Sequence, residues 1–336
     1  MTSVRGSFSS KAISRRNFTR FAAAALSSIT MPRLARAADD KLVLGAAFGN
    51  SMYWDLDVGK DKGFFKDEGF VPETVVPQSS PQVVQLLVTG AVQLAASQPE
   101  PFIAAIEKGA TNIAAIGAPM NYADWTLNVR PDIHSLADLK GKLIGVSALK
   151  NSECWQTTQL LAKAGLKPGD YTFVVSGISP IKITALERGS ISAAILFQPS
   201  GLLAEAQGFK SLAYYADLRA YPSILYGVSK EWAGKNEAGQ RLSRALKRSH
   251  EWLQRPENHA EAISIIGKAT KRTPEILGKV YDMYFTGKKI YSPSGAVEIS
   301  GLDRAIADMV TDGEVLKAPQ PPSKYLLPHQ LGGLWQ

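Results

Sequence analysis

The chain has 336 residues, 45% of them hydrophobic and 20% charged, with a formal net charge of +8 and a single cysteine, Cys154. One cysteine excludes a framework of intrachain disulfides, and His134, His250, His259 and His329 lie too far apart in sequence for the short ligand spacings of a zinc site. Seven basic and no acidic side chains fall within residues 1–37, so the near-neutral remainder lacks the basic stripe that nucleic-acid binding needs.

Those first residues predict a removable export leader. Ser14-Arg15-Arg16-Asn17-Phe18-Thr19-Arg20 is basic, Phe21 to Met31 is uncharged, and Ala35-Arg36-Ala37 supplies small residues for cleavage. The apolar run is about ten residues, short of the about 20 that cross a bilayer. Arg15-Arg16 followed by Phe18 resembles the bacterial twin-arginine signal, with Arg20 in the place of its usual lysine, which implies export of a folded protein to the periplasm. A general secretory leader that contains two arginines is the alternative. No later window offers about 18 consecutive apolar residues, so no membrane span is expected.

Strands and helices then alternate. Leu42 to Ala47 reads as a strand, Tyr53 to Gly59 and Lys62 to Phe65 as helix, and Thr74 to Val76 as a second strand. Ser80-Pro81 is a helix start, with serine at the cap and proline at the first helical position, and Gly90 ends that segment before a strand at Val92 to Ala96. This βαβ order predicts an α/β fold.

The unit occurs twice. Ser80-Pro81, Leu87, Gly90, Val92 and Gln98-Pro99 are echoed by Ser179-Pro180, Leu186, Gly189, Ile191 and Gln198-Pro199, with one extra residue before the second Gln-Pro. Two similar lobes about a hundred residues apart are the expectation.

Several motifs in this order resemble the periplasmic solute-binding proteins of ABC transporters, of the nitrate, sulfonate and taurine type that also includes binders of thiamine pyrimidine precursors. They are Lys62-Gly63-Phe64-Phe65 with Glu68-Gly69, Asp138 to Val146, Leu161 with Ala164-Gly165-Leu166, and Ala185-Leu186-Glu187-Arg188-Gly189. The resemblance runs from about Lys41 to Tyr226. It implies a two-lobe α/β fold of type II, each lobe a mixed sheet flanked by helices, joined by two hinge crossings. It also implies a small-molecule solute in the cleft and an ABC permease with its ATPase as partners. The crossings are placed at Met120 to Arg130 and Asp217 to Ser223. Residues 38–120 with 221–336 then form lobe 1, and 121–220 form lobe 2. Arg241 to Leu253 is an amphipathic helix expected on the outside of lobe 1. A monomer with no cofactor and no metal is expected.

In open α/β sheets a ligand sits beyond the carboxyl ends of the strands, among loops and helix N-termini. The candidate site residues are Asn50, Ser51, Tyr53 and Trp54 after the first strand, and Ser97, Gln98 and Glu100 after the Val92 strand. Ser147, Asn151, Ser152, Glu153 and Trp155 follow the Ile144 strand, Phe197 and Gln198 follow the Ala193 strand, and Tyr122 and Tyr221 mark the crossings. Trp54 and Trp155 fit either ligand-stacking rings or anchors of core and rim. Glu153 fits either a ligand acceptor or a complement to a helix dipole, and Lys150 fits a solvated lysine. With a carboxylate and a tryptophan near residue 153, an aromatic or nitrogen-heterocyclic solute is favoured over an organic sulfonate or carboxylate. The chain has no Gly-x-Ser-x-Gly elbow, His-Glu-x-x-His pair or P-loop, and Cys154 reads as a buried small hydrophobe, so no enzyme is expected. An enzyme on the same two-lobe fold and a ligand-loaded partner of a sensor are the alternatives.

Overall fold

The computed structural model describes residues 40–46, 51–77, 79–287 and 290–336. The expected leader and Asn50 lie outside the described residues. The described residues begin with β1 (Asp40–Gly45), α1 (Trp54–Asp61), α2 (Phe64–Asp67), β2 (Phe70–Val75), α3 (Ser80–Val88), β3 (Leu94–Ser97), α4 (Pro99–Glu107) and β4 (Ile113–Met120). Next come β5 (Trp125–Val129), β6 (Leu143–Val146), α5 (Ser152–Ala162), β7 (Thr172–Val175), α6 (Ser179–Glu187), β8 (Ala193–Phe197), α7 (Ser200–Ala206) and β9 (Lys210–Tyr214). β10 (Ile224–Ser229) precedes α8 (Lys230–Gly234), α9 (Ala238–Leu253), α10 (His259–Thr270), α11 (Pro274–Tyr281) and α12 (Ile299–Asp312).

These strands form two five-stranded mixed sheets, ordered β2-β1-β3-β10-β4 and β7-β6-β8-β5-β9. In the first, β1 lies parallel to β2 and β3, while β10 runs antiparallel to β3 and β4. In the second, β6 lies parallel to β7 and β8, while β5 runs antiparallel to β8 and β9. The second sheet therefore repeats the first, strand for strand. In each, the antiparallel strand is the one that has just arrived from the other sheet, β5 after β4 and β10 after β9. The sequence echo has a physical counterpart as well. Ser80 Oγ accepts the Gln98 N–H at 3.4 Å and Ser179 Oγ accepts the Phe197 N–H at 3.2 Å, each 18 residues along.

Met120 to Arg130 is not wholly a crossing. Trp125–Val129 is a fully buried strand, so on this side residues 121–124 alone join the sheets. Thr126 and Asn128 hid it, because polar residues there look solvated. Inside the lobe they satisfy each other, Thr126 Oγ1 donating to Asn128 Oδ1 at 2.6 Å. The amphipathic segment is helical from Ala238, and its buried face (Leu242, Ala245, Leu246, Leu253) packs with Trp54, Leu56 and Val58 of α1 in the main core of the first sheet. The C-terminal residues return to that sheet, where Leu326 bridges Ala115 of β4.

Candidate functional site

A cavity of about 590 Å³ lies where the two sheets face each other, lined from both. The first sheet contributes Met52, Tyr53, Gln98 and the start of α3 (Ser79, Ser80, Pro81); the second contributes Ser147, Asn151, Phe197, Gln198 and the start of α6 (Ile178, Ser179, Pro180). Local sequence fixes these helix starts. The cap of α3 is Ser79, one residue before the expected Ser80, its Oγ accepting the Gln82 N–H, and Asn151 Oδ1 caps α5 by accepting the Cys154 N–H at 3.2 Å. Pro81 and Pro180 sit in first turns, where an N–H is dispensable. Three helices of nine or more residues, α3, α5 and α6, thus direct the positive ends of their dipoles at one space. Ser80 and Ser179 accept a backbone N–H and keep a hydroxyl proton to donate.

Behind the second lobe's wall lies a fully buried ion pair, Lys182 Nζ to Glu153 Oε2 at 2.8 Å. Lys182 also donates to the Ile195 carbonyl at 2.8 Å and to Ser147 Oγ at 3.1 Å, and its ammonium lies 5.8 Å from the Phe197 ring centre. Glu153 accepts the Ser147 N–H at 2.9 Å and, in a very short bond, its hydroxyl. The pair is inward-facing scaffolding that fixes Ser147. Sequence reading missed Lys182, since a lysine in an amphipathic stretch carries no sign that it turns inward.

Of the expected site residues, Tyr53, Gln98, Ser147, Asn151, Phe197 and Gln198 line the cavity. Ser51 lies just behind it and joins the lobes, its hydroxyl donating to the Gln198 carbonyl at 2.5 Å. The others sit elsewhere. Trp54 is fully buried in the core of the first lobe, against Tyr281, Tyr284 and Phe285. Trp155 packs on the helical face of that lobe, in a separate hollow with Glu100, Lys150 and Met309. Ser97 turns back on the Gln98 carbonyl. Glu100, buried, accepts the Ser152 N–H at 3.1 Å and the Tyr221 hydroxyl at 3.3 Å, a polar bridge that uses three expected ligand contacts on the fold itself. Burial holds the Glu100 carboxyl above its usual range. Tyr122 is half-buried against the first core, and Lys150 pairs with Glu314 at 3.2 Å. Met52, Ser79, Ser80, Ile178, Ser179, Ser200 and Arg272 line the cavity without having been expected. The duplicated Ser-Pro helix starts were the available signal for Ser80 and Ser179.

Below the cavity, in the crossing, Asp124 is completely buried and receives the Tyr284 hydroxyl at 2.7 Å. Desolvation pushes its carboxyl up to about 6. Tyr284 also lies 2.9 Å from Ser51 Oγ, so Asp124, Tyr284, Ser51 and Gln198 form a chain from crossing to cavity wall. Cys154 is not among the residues that line the cavity; its thiol lies 3.4 Å from the Ala148 carbonyl, and burial raises it to about 11.

Two duplicated α/β lobes, swapped strands at two crossings and a cavity between them define the two-lobe binding-protein fold. Residues 53–259 match the NMT1/THI5-like family, and the chain belongs to that family. No curated protein sequence matches it significantly. Among solved structures it is similar to the alkanesulfonate-binding protein SsuA from Xanthomonas axonopodis pv. citri bound to MOPS (18% identity, TM-score 0.69, 86% of this chain and 98% of that one). It is also similar to the periplasmic nitrate-binding protein NrtA from Synechocystis PCC 6803 (16%, 0.69, 88% and 86%). The desulfurization enzyme DSZB shares the fold (16%, 0.65, 87% and 97%). These likenesses show the two-lobe fold, which binding proteins and an enzyme share.

Proposed function

We propose that the chain is an extracytoplasmic carrier that closes two lobes, 38–120 with 221–336 and 121–220, on a small organic anion and delivers it to an ABC permease and its ATPase. The observation that carries this reading is the cavity wall. It gathers the N-termini of α3, α5 and α6 and, among the described residues, contains no carboxylate. A carboxylate and a tryptophan next to the ligand would favour an aromatic heterocycle, but Glu153 is neutralised by Lys182 and Trp155 faces another hollow. The balance therefore moves to an organic sulfonate or carboxylate, in keeping with what SsuA and NrtA are named for. We take the first 37 residues as a twin-arginine leader to the periplasm and the exported protein as a monomer.

DSZB gives catalysis a specific precedent on this fold. The single thiol here is buried, raised to about 11 and outside the cavity lining, which favours a carrier. The test is calorimetric titration of purified protein with MOPS, pentanesulfonate, benzoate and a 4-aminopyrimidine, with recovery of each compound and solution scattering of the best complex. Reversible binding of a sulfonate or carboxylate, a smaller radius of gyration and an unchanged compound are expected. Preference for the aminopyrimidine would overturn the anion assignment, and chemical conversion would overturn the carrier assignment.

A further inference from the structure

We infer that Arg272 is a specificity-determining residue that selects solutes carrying a second acidic group at the mouth of the cavity, an inference that rests on the anion-binding reading above. Among the described residues that line the cavity, Arg272 alone bears a formal charge. It is exposed, and no hydrogen bond or ion pair with a described residue engages its guanidinium.

Its position is set by an unusual turn. Lys271 closes α10 in the left-handed region at φ 56°, its N–H donating to the Gly267 carbonyl at 2.9 Å, and Pro274 begins α11 three residues later. A Cβ-bearing residue held in that region is strained, and such strain gathers at functional sites. The turn leaves an unpartnered cation on the cavity's edge, although surface arginines readily find carboxylates.

Polar lining groups differ in exposure: Asn151, Ser179 and Gln198 are buried, whereas Arg272 is exposed. Met52, Tyr53, Phe197 and Ile224 supply apolar surface in the same lining. A solute with one acidic group on the helix ends, a compact apolar body and a second acidic group outward matches all three zones. The planar guanidinium suits a carboxylate, which it can hold through two N–H donors.

The experiment compares benzenesulfonate with 4-sulfobenzoate, which differ by one carboxylate, in calorimetric titrations of the wild type, Arg272→Gln and Arg272→Lys. The wild type should bind 4-sulfobenzoate about tenfold more tightly, an advantage that shrinks with added salt. Arg272→Gln should lose that advantage, and Arg272→Lys should retain part of it because an ammonium keeps the charge but not the fork. Equal binding of both compounds by the wild type, or an unchanged ratio in Arg272→Gln, overturns this inference alone. Failure of the wild type to bind either compound overturns it together with the anion-binding reading.

Discussion

Asp124 shows how burial sets the chemistry of a single residue at the crossing. Ser51 spends its proton on the Gln198 carbonyl, so Tyr284, with one proton, cannot serve both Ser51 and an ionised Asp124. A protonated Asp124 can donate to Tyr284 and let the whole chain point one way, which agrees with a carboxyl raised from 3.8 to about 6. The folded protein then holds a proton that the unfolded chain has released, so stability falls as pH rises through that window and stays lost above it, by about 2–3 kcal/mol. Asp124→Asn, which imitates the protonated acid, should flatten this part of the pH profile and raise stability at pH 7.5, as measured by urea unfolding at pH 4.5 and 7.5. An unaltered profile would show that another buried acid, such as Glu100 or Asp308, sets it. At this scale the sequence was least readable. Trp54 and Trp155 both follow a strand and read alike as loop residues, yet Trp54 opens α1 in the core and Trp155, in α5, lines a different hollow.

At the scale of elements, helix starts were the most legible features, because a cap and a first-turn proline are chemistry between near neighbours. Close packing between elements was not. Gly239 opens α9, and a Cβ there would collide with the carbonyl of Leu331 and come within 3.0 Å of Ala233, whereas a Cβ on Gly278 in α11 would meet nothing within 4 Å. Both are glycines in helices and look alike in sequence. Gly239→Ala should cost about 1–3 kcal/mol, since backbone cannot yield as a side-chain tip can. Gly278→Ala should add about 0.5–1 kcal/mol by restricting the unfolded chain. Urea midpoints for the pair decide this, and equal shifts would show that the turn at 329–333 gives way.

At the scale of the molecule, the duplication organises everything that touches the cavity. Each lobe sends its central strand, β3 or β8, and the preceding helix, α3 or α6, toward the partner lobe, so equivalent serines and glutamines meet from opposite sides. Export belongs to the same scale, since a fold with crossings at 121–124 and 215–223 assembles its lobes from interleaved segments and suits a route that carries folded protein. Changing Arg15-Arg16 to Lys-Lys should leave folded precursor in the cytoplasm, followed by fractionation and immunoblotting. Normal accumulation in the periplasm would show that the general secretory route is used.

The sequence by itself determined the α/β class, the duplicated unit and, to within a residue, the helix starts, because each rests on local pattern or on a repeated unit of about twenty residues. Only the tertiary structure decided which polar groups face the cavity. Glu153 turned inward because Lys182, 29 residues away, is there to neutralise it; Glu100 was taken up by Ser152 and Tyr221; Arg272 reached the mouth from a helical segment that lies beyond both crossings. A buried charge goes where its partner is, and partners distant in sequence meet only when the fold has formed.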